Sequence, residues 1–185
     1  MKYSVTTFKK LCRLAAGEQK FILQKKEYIE SMNLFGIGST SVVQIYDKKD
    51  PTRNTVESKL FLLEDLEREV NAYKKIYDCV LESAMQIDPV YRKFVIGIYL
   101  VSDDRSDRKS PSRIAEDFGF DRRKFVPDLD NAIKQALAEE EVTAKIDMIK
   151  KIALEYQREE YLKIFEEAEE DSGKDDEEFV FHSKE

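Results

Sequence analysis

Three kinds of side chain in this sequence could do chemistry (histidine with cysteine, the carboxylates, and the cations), and position disposes of the first two. Nucleophilic catalysis needs a base beside the nucleophile, yet there is one histidine, His182, set in an acidic stretch near the end. A zinc site needs closely spaced cysteines or histidines, and Cys12 and Cys79 stand 67 positions apart. Both cysteines fall on apolar stripes and read as small buried hydrophobes in a reducing compartment. Carboxylates are plentiful but lie on solvated helical faces, where no general acid and base pair stands out. The acidic run at 175–178 lacks the glycine-bearing ligand loop that specific calcium binding needs. Gly36-x-Gly38 is followed neither by the rest of a dinucleotide fingerprint nor by Gly-Lys-Ser/Thr. The residues therefore imply no enzyme and no cofactor. The third kind is cationic: Arg105, Arg108, Lys109 and Arg113, with Ser112 among them, and then Arg122, Arg123 and Lys124. Clustered near two helix starts, these groups suit the phosphates of double-stranded DNA.

The elements that must position them read as helices. Phe8, Leu11, Cys12, Ala15, Ile22, Leu23 and Ile29 recur with helical spacing over residues 5–32, with Gly17 as a candidate bend. A connector follows, with a candidate short strand at Val42–Tyr46. From Val56 to Ile87, Leu63, Leu66, Val70, Tyr73, Tyr77, Val80 and Ala84 alternate in steps of three and four, as coiled-coil core positions do. That stripe has two uses: packing on the first helix within one chain, or forming a homodimer seam. Asp88-Pro89 starts another helix, since aspartate is a good N-cap and proline loses nothing at the first helical position. Ser110-Pro111 repeats the device. Gly119 marks a sharp helix exit and Asp121 a new cap. Pro127, six residues after that cap, predicts either a kink or a helix that truly starts near Val126. Beyond it, Leu129, Ala132, Ile133, Ala136 and Leu137 resume the stripe, and helicity is expected to run on through Ile146 and Tyr156 to Phe165.

The segment 110–137 has the layout of a helix-turn-helix. Ile114 and Ala115 are the inward pair, Phe118 the packing residue, Gly119 the turn and Asp121 the cap, with Phe125, Leu129 and Ala132 facing back into the hairpin. Arg122, Arg123 and Lys124 would then enter a major groove. This stretch resembles the region-4 helix-turn-helix of bacterial sigma factors, and its layout is more closely similar to phage transcriptional regulators of the RinA/ArpU type. Ser110, Ile114, Ala115, Gly119 and Ala132 match the family spacing; Asp121 stands where Ser or Thr is usual and Phe125 where a smaller β-branched residue is usual. The resemblance implies a DNA-binding regulator of transcription, with RNA polymerase or another protein as a further partner. Pro127, Asp128 and Asp130 depart from the pattern, placing a helix breaker and negative charge where phosphates would approach.

Charge is uneven along the chain. Residues 1–55 carry about five more positive than negative side chains, and residues 138–185 about ten more negative than positive. A competing reading follows from that acidic end: a non-enzymatic inhibitor or adaptor that engages a host or viral protein complex. Packaging of viral DNA through the same hairpin is a third. No stretch approaches the roughly 20 apolar residues of a membrane span, and the N-terminus lacks the apolar core of a signal peptide, so the expected location is the cytoplasm (the host's, for a phage protein). With few glycines and prolines and 37% charged residues, the chain suits an all-α fold of helices with solvated faces. The expected organisation is an N-terminal helix and connector (1–55), a heptad-patterned helix (56–87), a helix-turn-helix domain (88–137), a C-terminal helix (138–166) and a disordered acidic tail (167–185).

Overall fold

The computed structural model describes residues 2–34, 56–100 and 111–178; for residues 20, 21, 32–34, 56–60, 112, 122 and 170–178 it describes the backbone alone. The described residues form seven α-helices and no strand, so the fold is all-α. They are α1 (Val5–Leu34), α2 (Val56–Met85), α3 (Pro89–Val95), α4 (Pro111–Asp117), α5 (Arg122–Ala136), α6 (Glu140–Glu155) and α7 (Glu159–Glu178). No helix is long and apolar enough to cross a membrane among the described residues. The candidate strand at Val42–Tyr46 lies outside them.

Four of the helices close a ring. α1 packs on α2, α2 on α6, α6 on α7, and α7 back on α1. Ion pairs join the neighbours: Lys25 of α1 meets Glu69 of α2, Lys145 of α6 meets Glu82 of α2 at 2.7 Å, and Lys10 of α1 meets Glu167 of α7. Glu18 further along α1 meets Tyr161 nearer the start of α7, so those two helices run antiparallel. The core between them is the stripe expected from the sequence, with Phe8, Leu11, Cys12, Ile76, Val80, Ile146, Ile149 and Phe165 all buried. Each large side chain so buried contributes roughly 1.5–3 kcal/mol. Both cysteines are buried and unbonded, and burial raises the Cys12 thiol pKa. The coiled-coil-like stripe of α2 is used inside the chain: Leu66, Val70 and Tyr73 pack with Ile22 and Ile29 in a satellite cluster. Those positions are therefore not available as a homodimer seam.

Local chemistry accounts for most helix ends. Ser4 starts α1 by accepting the backbone N–H of Thr7 at 3.0 Å. Gly17 does not interrupt the helix, which continues through it to Leu34. Asp88 caps α3 by accepting the N–H of Val90 at 2.8 Å, with Pro89 in the first turn, as its sequence predicts. The end of that helix was not predictable: Ile96–Leu100 winds as one π-helical stretch, burying Tyr99 and Leu100 against α1.

The helical run expected to continue from α5 to Phe165 is broken twice. The first break is at Leu137–Glu139, where Leu137 ends α5 and Glu139 starts α6, and the second lies between α6 and α7. Tyr156, Gln157 and Arg158 form a turn in which Gln157 takes a left-handed backbone (φ 52°) and the Arg158 N–H reaches the Ala153 carbonyl at 2.8 Å. No glycine or proline announces it. The signal present is a step of five from Tyr156 to Tyr161, which no continuous helical stripe allows. α7 then runs to Glu178, so helix covers much of the stretch expected to be disordered. It is held by buried Tyr161 and Phe165 and by the Lys10–Glu167 and Lys150–Glu169 ion pairs. A left-handed glutamine costs about 1–2 kcal/mol relative to glycine, less the extra chain entropy glycine loses on folding. Gln157→Gly is therefore expected to stabilise the fold by up to about 1 kcal/mol, read as a higher urea midpoint at unchanged slope. A lower midpoint would show that the glutamine side chain contributes more than its backbone strain removes.

Candidate nucleic-acid interface

The α4–α5 hairpin is built by one turn and one aromatic cluster. α4 ends in a Schellman motif: the Gly119 N–H bonds Glu116 O at 3.0 Å, and the Phe120 N–H bonds Ala115 O at 2.8 Å. That geometry needs the left-handed backbone of Gly119 (φ +73°), which glycine alone adopts without penalty. Asp121 then caps α5, its carboxylate accepting the Arg123 N–H at 2.9 Å. Ala115, Phe125, Leu129, Ala132 and Ile133 are buried in the hairpin and against its neighbours, with Ile114 half-buried. Phe94 of α3 is the hub: it meets Phe118, Phe120 and Phe125 edge-on, with ring centroids 5.3, 5.4 and 5.1 Å away.

Two expectations are corrected here. Phe118 is not the packing residue; it is 63% exposed, touching Phe94 only with its edge, while Phe120 and Phe125 fill the interior. Its place at the helix C-terminus, one residue before the turn, leaves it on the solvent side of the Schellman loop. Pro127 does not shift the start of the helix to Val126: Asp121 is the cap and α5 is continuous from Arg122 to Ala136. Proline is tolerated because it stands on the exposed face, where the Arg123 carbonyl that lacks its usual partner can bond water.

The structure places the cationic residues unequally. Arg105, Arg108 and Lys109 lie outside the described residues. Ser112 is the second residue of α4 and Arg122 the first of α5, as backbone positions only. Arg113, Arg123 and Lys124 are exposed, the first on α4 and the other two in the opening turn of α5. Those charges stand at the positive end of the helix macrodipole, an arrangement unfavourable for the isolated helix and favourable once an anion arrives.

The carboxylates behave differently from what their positions suggest. Asp130 pairs with Lys9 of α1, its side chain still 39% exposed. Lys9 also lies 5.7 Å from the Tyr99 ring centre and Arg13 5.0 Å from it, so the π-helical stretch, α1 and α5 are joined at one polar contact. Asp128 alone of the two remains on the exposed side. The outer face of α5 then reads Arg123, Lys124, Pro127, Asp128, Asn131, Lys134 and Gln135. Asn131, Lys134 and Gln135 were not among the expected site residues. Their signal was present as the complement of the buried stripe: Asn131 stands seven positions on from Lys124, and Lys134 and Gln135 stand seven on from Pro127 and Asp128.

A second polar constellation lies away from this face and was invisible in sequence. Arg158 donates to the Tyr73 hydroxyl, stacks on that ring at 4.1 Å and pairs with Glu69 at 2.8 Å. Lys25 also pairs with Glu69, and Tyr161 donates to Glu18. These groups come from α1, α2, the α6–α7 turn and α7. Among the described residues, no group of His, Cys, Asp and Glu side chains is arranged to hold a metal ion. No family model matches the chain, and neither a curated protein nor a solved structure matches it.

Proposed function

We propose that this protein is a DNA-binding regulator of transcription that docks the α4–α5 hairpin on duplex DNA. One observation supports this reading above the others: with Asp130 drawn onto Lys9, the outer face of α5 carries Arg123, Lys124 and Lys134 against Asp128 alone. Cations at the start of the helix suit phosphates and guanine edges. Asn131 and Gln135 further along have the paired donor and acceptor that match adenine in the major groove. The hairpin is rigid enough to present them, since its turn is locked by backbone bonds and its base by Phe94, Phe120 and Phe125.

The helical, acidic α7 favours a second reading, an adaptor or inhibitor that engages a protein complex through that end of the chain. One titration separates them. Labelled random and phage-derived duplexes are titrated by fluorescence anisotropy at 50 and 200 mM salt, and affinity is expected to fall by a factor on the order of 100 or more across that range, as release of several counterions requires. Absence of binding at the lower salt would sink the DNA reading and leave the protein-binding one.

A further inference from the structure

Positive charge continues from α5 onto α1, and the hairpin contact proposed above does not use it. Arg123, Pro127, Asp130 and Lys134 follow one another in steps of four, three and four, so they line one edge of the outer face of α5. Lys9 of α1 meets that edge at its middle, where it pairs with Asp130. Arg13 stands one turn further along α1, its guanidinium 5.0 Å from the Tyr99 ring centre on which Lys9 also rests. Unlike Lys9, Arg13 is exposed and makes no ion pair among the described residues. Lys9 faces α5 and Lys10 faces α7, and the helical repeat puts Thr6, Arg13 and Gly17 on the strip between them. All three are exposed, and a Cβ added at Gly17 would meet nothing within 4 Å, so this strip is open. It borders a groove of about 520 Å³ between α1 and α7, whose walls include Lys10, Arg13, Glu160, Lys163 and Glu167. Glu167 is taken by Lys10, which leaves Arg13 and Lys163 with one further carboxylate, Glu160.

We infer that Arg13 is a second phosphate-binding point for duplex DNA, taking the backbone of the strand that runs along the Arg123–Lys134 edge of α5. This contact rests on the docking of α5 proposed above. A helix with its side chains is about 10–12 Å across and the major groove about 12 Å wide, so a seated helix has a phosphate strand along each edge. The strand on this edge passes Arg123 and Lys134, with α1 beside it between the two. The carboxylate that would repel it there, Asp130, is already paired with Lys9. The Tyr99 ring holds the Arg13 guanidinium in place, which lowers the entropy lost when a phosphate binds. Lys163, across the groove, adds positive charge on the far side of Arg13. Such a contact fixes the register of the protein on the duplex and carries no sequence information.

Anisotropy titrations of the full-length Arg13→Gln protein at 50 and 200 mM salt test this, with Lys26→Gln as the control. Lys26 is also exposed and lies about 20 Å further along α1. Arg13→Gln is expected to weaken binding equally on random and phage-derived duplexes, and to lower the slope of log affinity against log salt by about 0.9. Across that fourfold change in salt, the wild type then loses about 3.5-fold more affinity than the variant. Arg13→Lys keeps the charge and is expected to keep the wild-type slope. Lys26→Gln removes the same charge elsewhere and is expected to leave the slope unchanged. A wild-type slope for Arg13→Gln overturns the inference, and so does an equal fall for Lys26→Gln or Arg13→Lys. If replacing Arg122, Arg123 and Lys124 abolishes binding while Arg13→Gln binds as the wild type does, the hairpin docks and Arg13 has no part in it. A wild-type protein that binds neither duplex at 50 mM salt removes both contacts.

Discussion

Phe125→Ala is expected to destabilise the protein by about 3–5 kcal/mol, the range for deleting a buried phenylalanine ring and leaving its cavity. The side chain is 1% exposed and contacts both Phe94 and Phe120 in the cluster that ties the hairpin to α3. The backbones that carry its ring neighbours are held in place, Phe120 by the Schellman bond to Ala115 and Phe94 within α3, which limits how far they can close the space. Phe118→Ala is the internal control. It also removes an edge contact to Phe94, at 5.3 Å, but from a ring that is 63% exposed, so a loss under about 1 kcal/mol is expected. Urea denaturation of both variants decides the matter. Equal losses would mean that Phe118 carries as much of the packing as Phe125, as its place in the sequence pattern first suggests.

The second large effect concerns the face of α5. Replacing Arg122, Arg123 and Lys124 together by alanine is expected to abolish a gel shift on duplex DNA at moderate salt and to reduce the salt dependence of residual binding. Loss of three phosphate contacts lowers the slope of log affinity against log salt by about 2.7, at about 0.9 per contact. Stability should move the other way. Removing positive charge from the first turn relieves repulsion with the helix macrodipole, worth about 0.3–1 kcal/mol per charge at low ionic strength. A binding loss alongside unchanged or raised stability is thus a sign that the face itself contacts DNA. If the triple variant binds as the wild type does, the hairpin has no part in recognition. Lys9→Ala is a useful companion, because it leaves that face intact but frees Asp130, the carboxylate now held by α1.

What could be read from the residues alone is what neighbours in the chain decide. Asp88-Pro89, Gly119 and Asp121 act on backbone groups within a few positions, and the structure has them in the predicted roles. The buried stripes of α1, α2 and α5 follow from the same logic, since a 3.6-residue repeat fixes which side chains share a face. Where that reading went astray, the deciding partner was distant in sequence. Asp130 looked like an obstacle to phosphate because Lys9, its partner, lies 121 positions away. Proline at 127 looked like a break because its exposure, which makes it tolerable, depends on how α5 rests on α3 and α4. The break at Gln157 follows from the return of α7 across α1, which local propensity does not encode. The cationic residues at the start of α5 were thus legible from the sequence. That they share an outer face with Asn131, Lys134 and Gln135, cleared of one of its two aspartates, was decided by tertiary packing, because a charge is neutralised by what lies beside it in space.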